Sequence, residues 1–181
     1  MALCNSLTSI AKSCDNNMGG IQGLWLWDME DVVGASSSFN TTTWTWDSYN
    51  VTGGATAVPT GYTFIRNSSN YTEETNIDLG NGSTYVTATL NLIFTRREAL
   101  KSKSIKILGE GQRYLGALVW DSNGLYWLFE DLQLSATGEG SGTAKADGSK
   151  YSVTLIGENL DLAGEISAAD AALLIANGFF V

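Results

Sequence analysis

The sequence predicts a mainly β fold with one central α-helix and a long projecting hairpin. Three observations carry this. The 181 residues include 20 glycines and one proline, with abundant Thr, Ser, Asn and Val, a mix that favours short extended segments joined by tight turns. The stretch Tyr85–Leu134 reads as strand, helix, strand, turn, strand. Residues 34–84 change texture: Ser, Thr, Asn and Gly clusters punctuate short pieces of strand.

In chain order, residues 1–20 read as an N-terminal arm that ends in the turn signal Asp15-Asn16-Asn17-Met18-Gly19-Gly20. A first strand spans Ile21 to Asp28, followed by the acidic corner Asp28-Met29-Glu30-Asp31. Within 34–84, Thr41–Asp47 alternates Thr with Trp44 and Trp46, and Tyr62–Ile65 is a second extended piece. We read this segment as an extended hairpin or small added sheet projecting from the core, because a compact domain seldom carries a long featureless loop.

The core segment, 85–157, opens with the β-branched and aromatic run Tyr85–Phe94. Thr95 stands three residues before Glu98, the spacing of a capping box, and predicts a helix from Arg96 to Leu108. Leu100, Ser104, Ile107 and Leu108 share one face and are expected to be buried, with Gly109 as left-handed C-cap. Tyr114–Trp120 and Leu125–Phe129 are almost wholly apolar arms around Asp121-Ser122-Asn123-Gly124, where Asn-Gly supplies positive φ angles for a hairpin. Strands covered on both faces lose their alternation, so this hairpin needs a second cover, from the helix or from another copy of the chain. Gly138–Gly142 then reads as a flexible loop, Thr143–Ala146 as a short strand and Asp147-Gly148 as a turn. Tyr151, Val153 and Leu155 alternate with Ser152, Thr154 and Ile156 in a last strand. In the final segment, 158–181, Ser167 caps a short helix over Ala168–Ala176, which Asn177-Gly178 closes. All of this is expected to form a single domain.

The charge balance narrows function. Ten basic against 19 acidic residues give a net charge of −9, which disfavours nonspecific adhesion to nucleic acid. Histidine is absent, removing the commonest general base near pH 7 and the commonest metal ligand. No catalytic, cofactor-binding or metal site is expected, and no cofactor. The first residues lack the pattern of a secretory signal and no apolar run reaches membrane-span length, so we expect no membrane partner and folding in a cytoplasm. Cys4 and Cys14, the two cysteines, read as small apolar thiols rather than a disulfide framework.

Three groups of residues invite a functional reading. Trp25, Trp27, Trp44 and Trp46 lie near Asp28, Glu30, Asp31 and Asp47; aromatic platforms beside carboxylates can hold or cleave glycans, whereas tryptophans in strands more often pack in cores and at subunit contacts. Five Asn-x-Ser/Thr sequons begin at Asn40, Asn50, Asn67, Asn70 and Asn81 and are read as polar hairpin sequence. Five of the ten bases, Arg96, Arg97, Lys101, Lys103 and Lys106, gather around the central helix. In so acidic a chain we expect Arg96, Arg97 and Lys101, with the four tryptophans, to serve an interface with a neighbouring subunit.

Four blocks resemble virion tail proteins of phages infecting Bacteroides and relatives, including crAss-like phages: Cys14-Asp15-Asn16-Asn17-Met18-Gly19-Gly20-Ile21, Phe94-Thr95-Arg96-Arg97-Glu98-Ala99-Leu100, Asp121-Ser122-Asn123-Gly124-Leu125-Tyr126-Trp127, and Gly142–Gly148 with Tyr151–Glu158. The resemblance covers residues 10–165, with 34–84 the least matched. The order strand, helix, hairpin is also similar to the tail-tube fold of long-tailed phages and type VI secretion tubes. The resemblance implies a β-sandwich or barrel flanked by a helix, and a nonenzymatic subunit assembled as stacked hexameric rings. Its partners would be itself, other virion tail proteins, and genomic DNA that passes during ejection without sequence-specific binding. Its place would be the virion tail, assembled in the bacterial host cytoplasm. Rival expectations are a glycan-binding or glycan-cleaving β-sandwich, and a virion ring, connector or head decoration protein.

Overall fold

In the computed structural model, residues 10, 12, 14–53, 58–64 and 67–180 are described below. The protein is mainly β, with eleven strands and two α-helices among these residues. The strands are β1 (Ile21–Asp28), β2 (Ser38–Asn40), β3 (Thr45–Asn50), β4 (Thr60–Tyr62), β5 (Asn70–Asp78), β6 (Ser83–Thr95), β7 (Leu115–Asp121), β8 (Tyr126–Gly140), β9 (Lys150–Asn159), β10 (Gly164–Ile166) and β11 (Phe179–Phe180). The helices are α1 (Ala99–Leu108) and α2 (Ala168–Asn177).

Two sheets share one strand. The first runs β4-β1-β7-β8-β10-β3, with β2 and β11 beside β3; the second runs β5-β6-β9-β8. Strand β8 takes part in both: residues up to Leu132 pair with β7, and Gln133 onward pairs with β9. The crossing point is irregular. Asp131 adopts φ 54°, and the β7–β8 register shifts between Leu115 and Ala117. An extra residue of this kind bends a strand and strengthens its twist, which lets one strand leave one sheet and enter another.

The main core lies between the sheets. Leu24 and Leu26 of β1, Ala117 and Val119 of β7, and Phe129 and Leu132 of β8 face Leu90, Leu92 and Phe94 of β6 and Val153 and Leu155 of β9. Helix α1 closes one end with Ile105 and Leu108. A second core covers the opposite face of the first sheet: Trp27, Leu118 and Leu128 pack against Tyr49, Val51, Ile166, Phe180 and the α2 residues Ala171 and Leu174. The near-continuous apolar runs of β7 and β8 thus reflect cover on both faces. The second cover is α2, β3 and the C-terminal strand of this same chain, not α1 and not a neighbouring copy.

Several expectations need correction. Residues 34–84 do not form one projecting hairpin. Strand β3 joins the first sheet through parallel pairing with β10, β4 pairs with β1, and β5 pairs with β6 along its whole length. Only the β5–β6 tip projects, because β9 pairs with β6 no further than Val86. Thr41–Trp44 is a turn, with Trp44 at φ 62°, rather than strand. Helix α1 begins at Ala99; Arg96 has φ 59°, which no helix accepts, and Glu98 stands at the N-cap position without a side-chain cap. Its buried face holds Ile105 and Leu108, while Leu100 is 79% and Ile107 37% exposed. The inward register is set instead by Ser102, whose hydroxyl meets the Tyr151 hydroxyl at 2.7 Å. Gly109 has φ −99°, so it is not a left-handed cap; a Cβ there would lie 2.6 Å from Leu134 Cδ2, so a larger residue would require the end of the Leu134 side chain to move.

In the β7–β8 turn only Gly124 has positive φ, and Asp121 supplies the remaining order. Residues 138–140 belong to β8. Thr143–Ala146 is a turn whose Thr143 and Ala144 amides donate to Asp147 Oδ2 at 2.9 and 2.7 Å. Strands β1 and β9, and α2 with Ser167 as N-cap and Gly178 at φ 81° as C-cap, stand where the sequence places them. Cys14 is an exposed free thiol; Cys4 lies outside the described residues. Among the described residues no helix is long and apolar enough to cross a membrane.

Candidate functional site

Three surface features can carry function: the outer face of the second sheet, the basic helix, and an acidic cleft beside the aromatic strands.

The outer face of β5-β6-β9 follows from alternation. Val86, Ala88, Leu90, Leu92 and Phe94 point into the core, so Thr87, Thr89, Asn91 and Ile93 point out. Pairing extends this into rows across three strands. Thr72, Thr89 and Ile156 form one, and Glu74, Thr87 and Glu158 another. Strand spacing puts the carboxyl-bearing residues of the second row about 10 Å apart across Thr87. Thr154 Oγ1 donates to Asn91 Oδ1 at 3.2 Å and Asn76 Nδ2 donates to Thr87 Oγ1 at 2.9 Å, so the face is tied laterally by its own polar groups. Lys150, opposite Thr95, is the base of β9 and stands at the α1 end. This sheet ends at β5, and among the described residues no further strand pairs with its outer edge. Glu73 points inward from that edge and accepts the Ala163 amide at 2.6 Å.

The basic residues at the α1 entrance are held by this chain's own acids. Arg96 Nε lies 3.3 Å from Glu98, Lys101 Nζ 3.7 Å from Glu98, and Arg97 Nε 2.9 Å from Glu139. Lys101 also donates to the Thr95 and Arg96 carbonyls at 2.8 and 3.2 Å, securing the left-handed step into the helix. The structure therefore brings Arg96, Arg97 and Lys101 together, with ion pairs made inside the subunit. Lys103 and Lys106 are exposed on the helix and make no ion pair among the described residues.

The four tryptophans divide. Trp27, 2% exposed, belongs to the second core and offers no surface to a neighbour. It meets Tyr49 edge to face at 5.7 Å, and Trp46 meets Tyr49 at 4.9 Å. Trp44 and Trp46 both pack on Phe39, at 5.4 and 5.2 Å. Trp25 is half-buried, packs against the second core and lays its ring over Gly23 and Gly61. Trp27 is buried and offers no platform to a sugar ring, while Trp44 and Trp46 are half-buried against Phe39. The acidic corner is likewise structural: Asp28 Oδ1 accepts the Glu30 amide at 3.1 Å and Asp28 Oδ2 pairs with Arg113 at 3.3 Å.

Composition alone hid one cluster. A cleft of about 300 Å³ lies between Phe39 and Trp46 on one side and Glu73, Glu130 and the 159–164 segment on the other. Tyr49 donates its hydroxyl to Glu130 Oε1 at 2.8 Å. Burial pushes the Glu130 carboxyl above its usual range, and the Tyr49 bond only partly offsets this. Burial likewise raises Glu73, against the opposing Ala163 amide. Tyr49 is raised well above its ordinary value by burial and then by the Glu130 charge. Tyr71, beside Phe129, is pushed up to about 12 by burial first and by Asp121 and Glu73 after it. Each carboxylate is engaged by a donor of the chain, so the cluster reads as a device that joins β3, β5, β8 and the 159–163 segment. Asp121 does similar work at the turn: Oδ1 accepts the Asn123 and Leu125 amides at 2.8 and 2.9 Å, and Oδ2 accepts Trp127 Nε1 at 3.1 Å. Among the described residues no group of His, Cys, Asp and Glu is placed to hold a metal ion.

No family model matches the chain, and no curated protein matches it. Among solved structures, the crystal structure of Hcp1 from Salmonella typhimurium is similar with a TM-score of 0.40 and 13% identity, covering 81% of this chain and 100% of that one. The functional reading therefore rests on the chain's own surfaces.

Proposed function

We propose that the chain is a nonenzymatic, self-assembling subunit of a phage tail tube, in which stacked rings enclose a channel for DNA. The observation that carries this reading is the outer face of β5-β6-β9. Among the described residues no element covers this sheet surface, which is built mainly of Thr, Ser, Asn and Glu. Placed around a lumen, hydroxyls, amides and carboxylates would present DNA with a hydrated wall of neutral to negative sign. Phosphates would find few cations to displace their counterions, so passage would not be slowed by adhesion. The net charge of −9 acts in the same direction. The free edge of β5 gives a site at which one subunit can meet the next, and closed point-group symmetry would turn such a contact into a ring.

Electron microscopy of the purified protein tests the reading. Hollow tubes or rings are the expected outcome, and dispersed monomers across a wide concentration range would overturn it. Long tubes favour a tail tube, while isolated rings favour a connector or head ring. Glu74→Lys with Glu158→Lys would place two cations in the wall on either side of Thr87. Tubes of that variant should retain duplex DNA that tubes of the natural chain release, with a steep dependence on salt.

A further inference from the structure

Two exposed patches on this chain are complementary, and they stand at opposite ends of the same strand. The first is the outward face of α1. Leu100 is 79% exposed and Ile107 37%, on one stripe flanked by the unpaired Lys103 and Lys106. The second is the end formed by the β5–β6 tip and the segment after β9. Here Ile77 is 65%, Leu79 93% and Leu160 83% exposed, and the neighbouring Asp78, Glu158 and Asp161 pair with no base among the described residues. The tip extends past the end of β9, which pairs with β6 no further than Val86, and Ile77 on its inward side stays exposed.

Strand β6 fixes how these patches are related. Its 13 residues run from Ser83 at the tip to Thr95, just before α1. At strand rise this is about 40 Å. Strand β9 gives the same answer independently: Tyr151 at its start bonds Ser102 of α1, and Leu160 follows its end. The patches cannot meet within one subunit. One is apolar with a cationic rim, the other apolar with an anionic rim, and a chain with ten bases and 19 acids concentrates half its bases between residues 96 and 106. We infer that the β5–β6 tip and Leu160 end of one copy docks on the α1 face of a second copy, forming a head-to-tail contact. A contact between two different patches propagates from copy to copy rather than closing on a dimer. The inference rests on the self-assembly proposed above and names the surfaces through which successive subunits join.

The test uses the head-to-tail logic. One variant, Leu100→Glu with Lys106→Glu, blocks the α1 face; another, Ile77→Glu with Leu79→Glu, blocks the tip. All four positions are exposed, and circular dichroism with thermal melting checks that each variant folds. In sedimentation velocity the natural chain should form species above monomer mass, and each variant alone should lose the head-to-tail species. Their equimolar mixture should regain one head-to-tail joint, giving a species of twice the mass that either variant forms alone, since one intact patch of each kind remains. Natural chain that assembles while both variants assemble equally well would overturn the contact and leave the tube reading standing. Two variants that fail alone and also fail when mixed would overturn head-to-tail pairing. Natural chain that stays monomeric would overturn both readings. Should a variant melt early, Lys106→Glu and Asp78→Lys make a milder pair with the same expected pattern.

Discussion

The two sheets differ in how many of their faces the chain covers. The first is buried on both sides, by the second sheet and by α2 with β3 and β11; the second is buried on one side. Strand β7, Leu115–Asp121, accordingly has no exposed residue, while β6 alternates buried Val86, Ala88, Leu90, Leu92 and Phe94 with outward Thr87, Thr89, Asn91 and Ile93. The difference teaches where tolerance lies. In β7 every side chain answers to a packed neighbour, whereas alternate positions of β6 and β9 meet one another laterally and otherwise face out of the subunit. A chain that left one sheet bare from lack of apolar residues would show the shortage elsewhere too. Here the first sheet is covered twice, so the polar face of the second is a feature of its sequence.

Substitutions can break this contrast, and the largest effect is expected in the doubly covered sheet. Leu118, fully buried on its outer face, should lose about 2–5 kcal/mol of stability as Leu118→Ala in denaturant unfolding. A loss within the range of surface substitutions would mean that α2 and β3 do not pack there. Next is Gly116→Ala, whose Cβ would fall 2.2 Å from Trp27 Nε1. Overpacking should cost about 1–3 kcal/mol, and the paired variant Trp27→Phe should recover part of that loss by freeing space. Asp121→Ala should cost about 1–3 kcal/mol by leaving the Asn123 and Leu125 amides and the Trp127 N–H without their acceptor. Asp121→Asn, which keeps one carbonyl oxygen, should cost less.

The carboxyls of Glu73 and Glu130 sharpen the contrast through pH. Burial raises both above 4.5, so the folded state binds more protons than the unfolded state in the interval above that value. Their contribution is greatest below pH 4.5 and is lost as pH rises through the raised values. The stability of Glu73→Gln with Glu130→Gln relative to the natural chain should therefore increase with pH across that window. A difference that stays flat would show that these carboxyls ionise as freely as in the unfolded chain. The smallest effect is expected at Thr89→Ala, on the bare face, within about 0.5 kcal/mol in thermal or denaturant melting. A larger loss from the isolated subunit would mean that this face is covered by something in the subunit itself.

Much of the fold was legible because period carries it. Strands β1, β6 and β9 show in the alternation or density of apolar residues, and α2 shows through Ser167 and Gly178. The unbroken apolar character of β7 and early β8 announces two covers, but cannot say which segment supplies the second. That cover comes from β3 and α2, distant in sequence, and no local pattern encodes the pairing. The face of α1 was misread because Leu100 and Ile107 satisfy a helical period as well as Ile105 and Leu108 do. The choice was made by the Ser102–Tyr151 contact and by the late helix start after the left-handed Arg96. Of the surface residues, the clustering of Arg96, Arg97 and Lys101 was visible, but their partners Glu98 and Glu139 were not, since Glu139 arrives from β8. The tryptophans were conspicuous by type, and type did not say that Trp27 would be interior.

The shared strand has a consequence for the order in which the chain can come apart. Strand β8 gives its first half to one sheet and its second half to the other, so neither sheet can be pulled open at β8 without loosening the strand that the other depends on. Loss of either core therefore spreads through Asp131 and Leu132 to the other, and the two layers should exchange their amide hydrogens as a single cooperative unit. The slowest amides would then sit along the middle of β8, where the chain passes from one layer to the next, and the fastest at the β5–β6 tip, which only its own two strands hold.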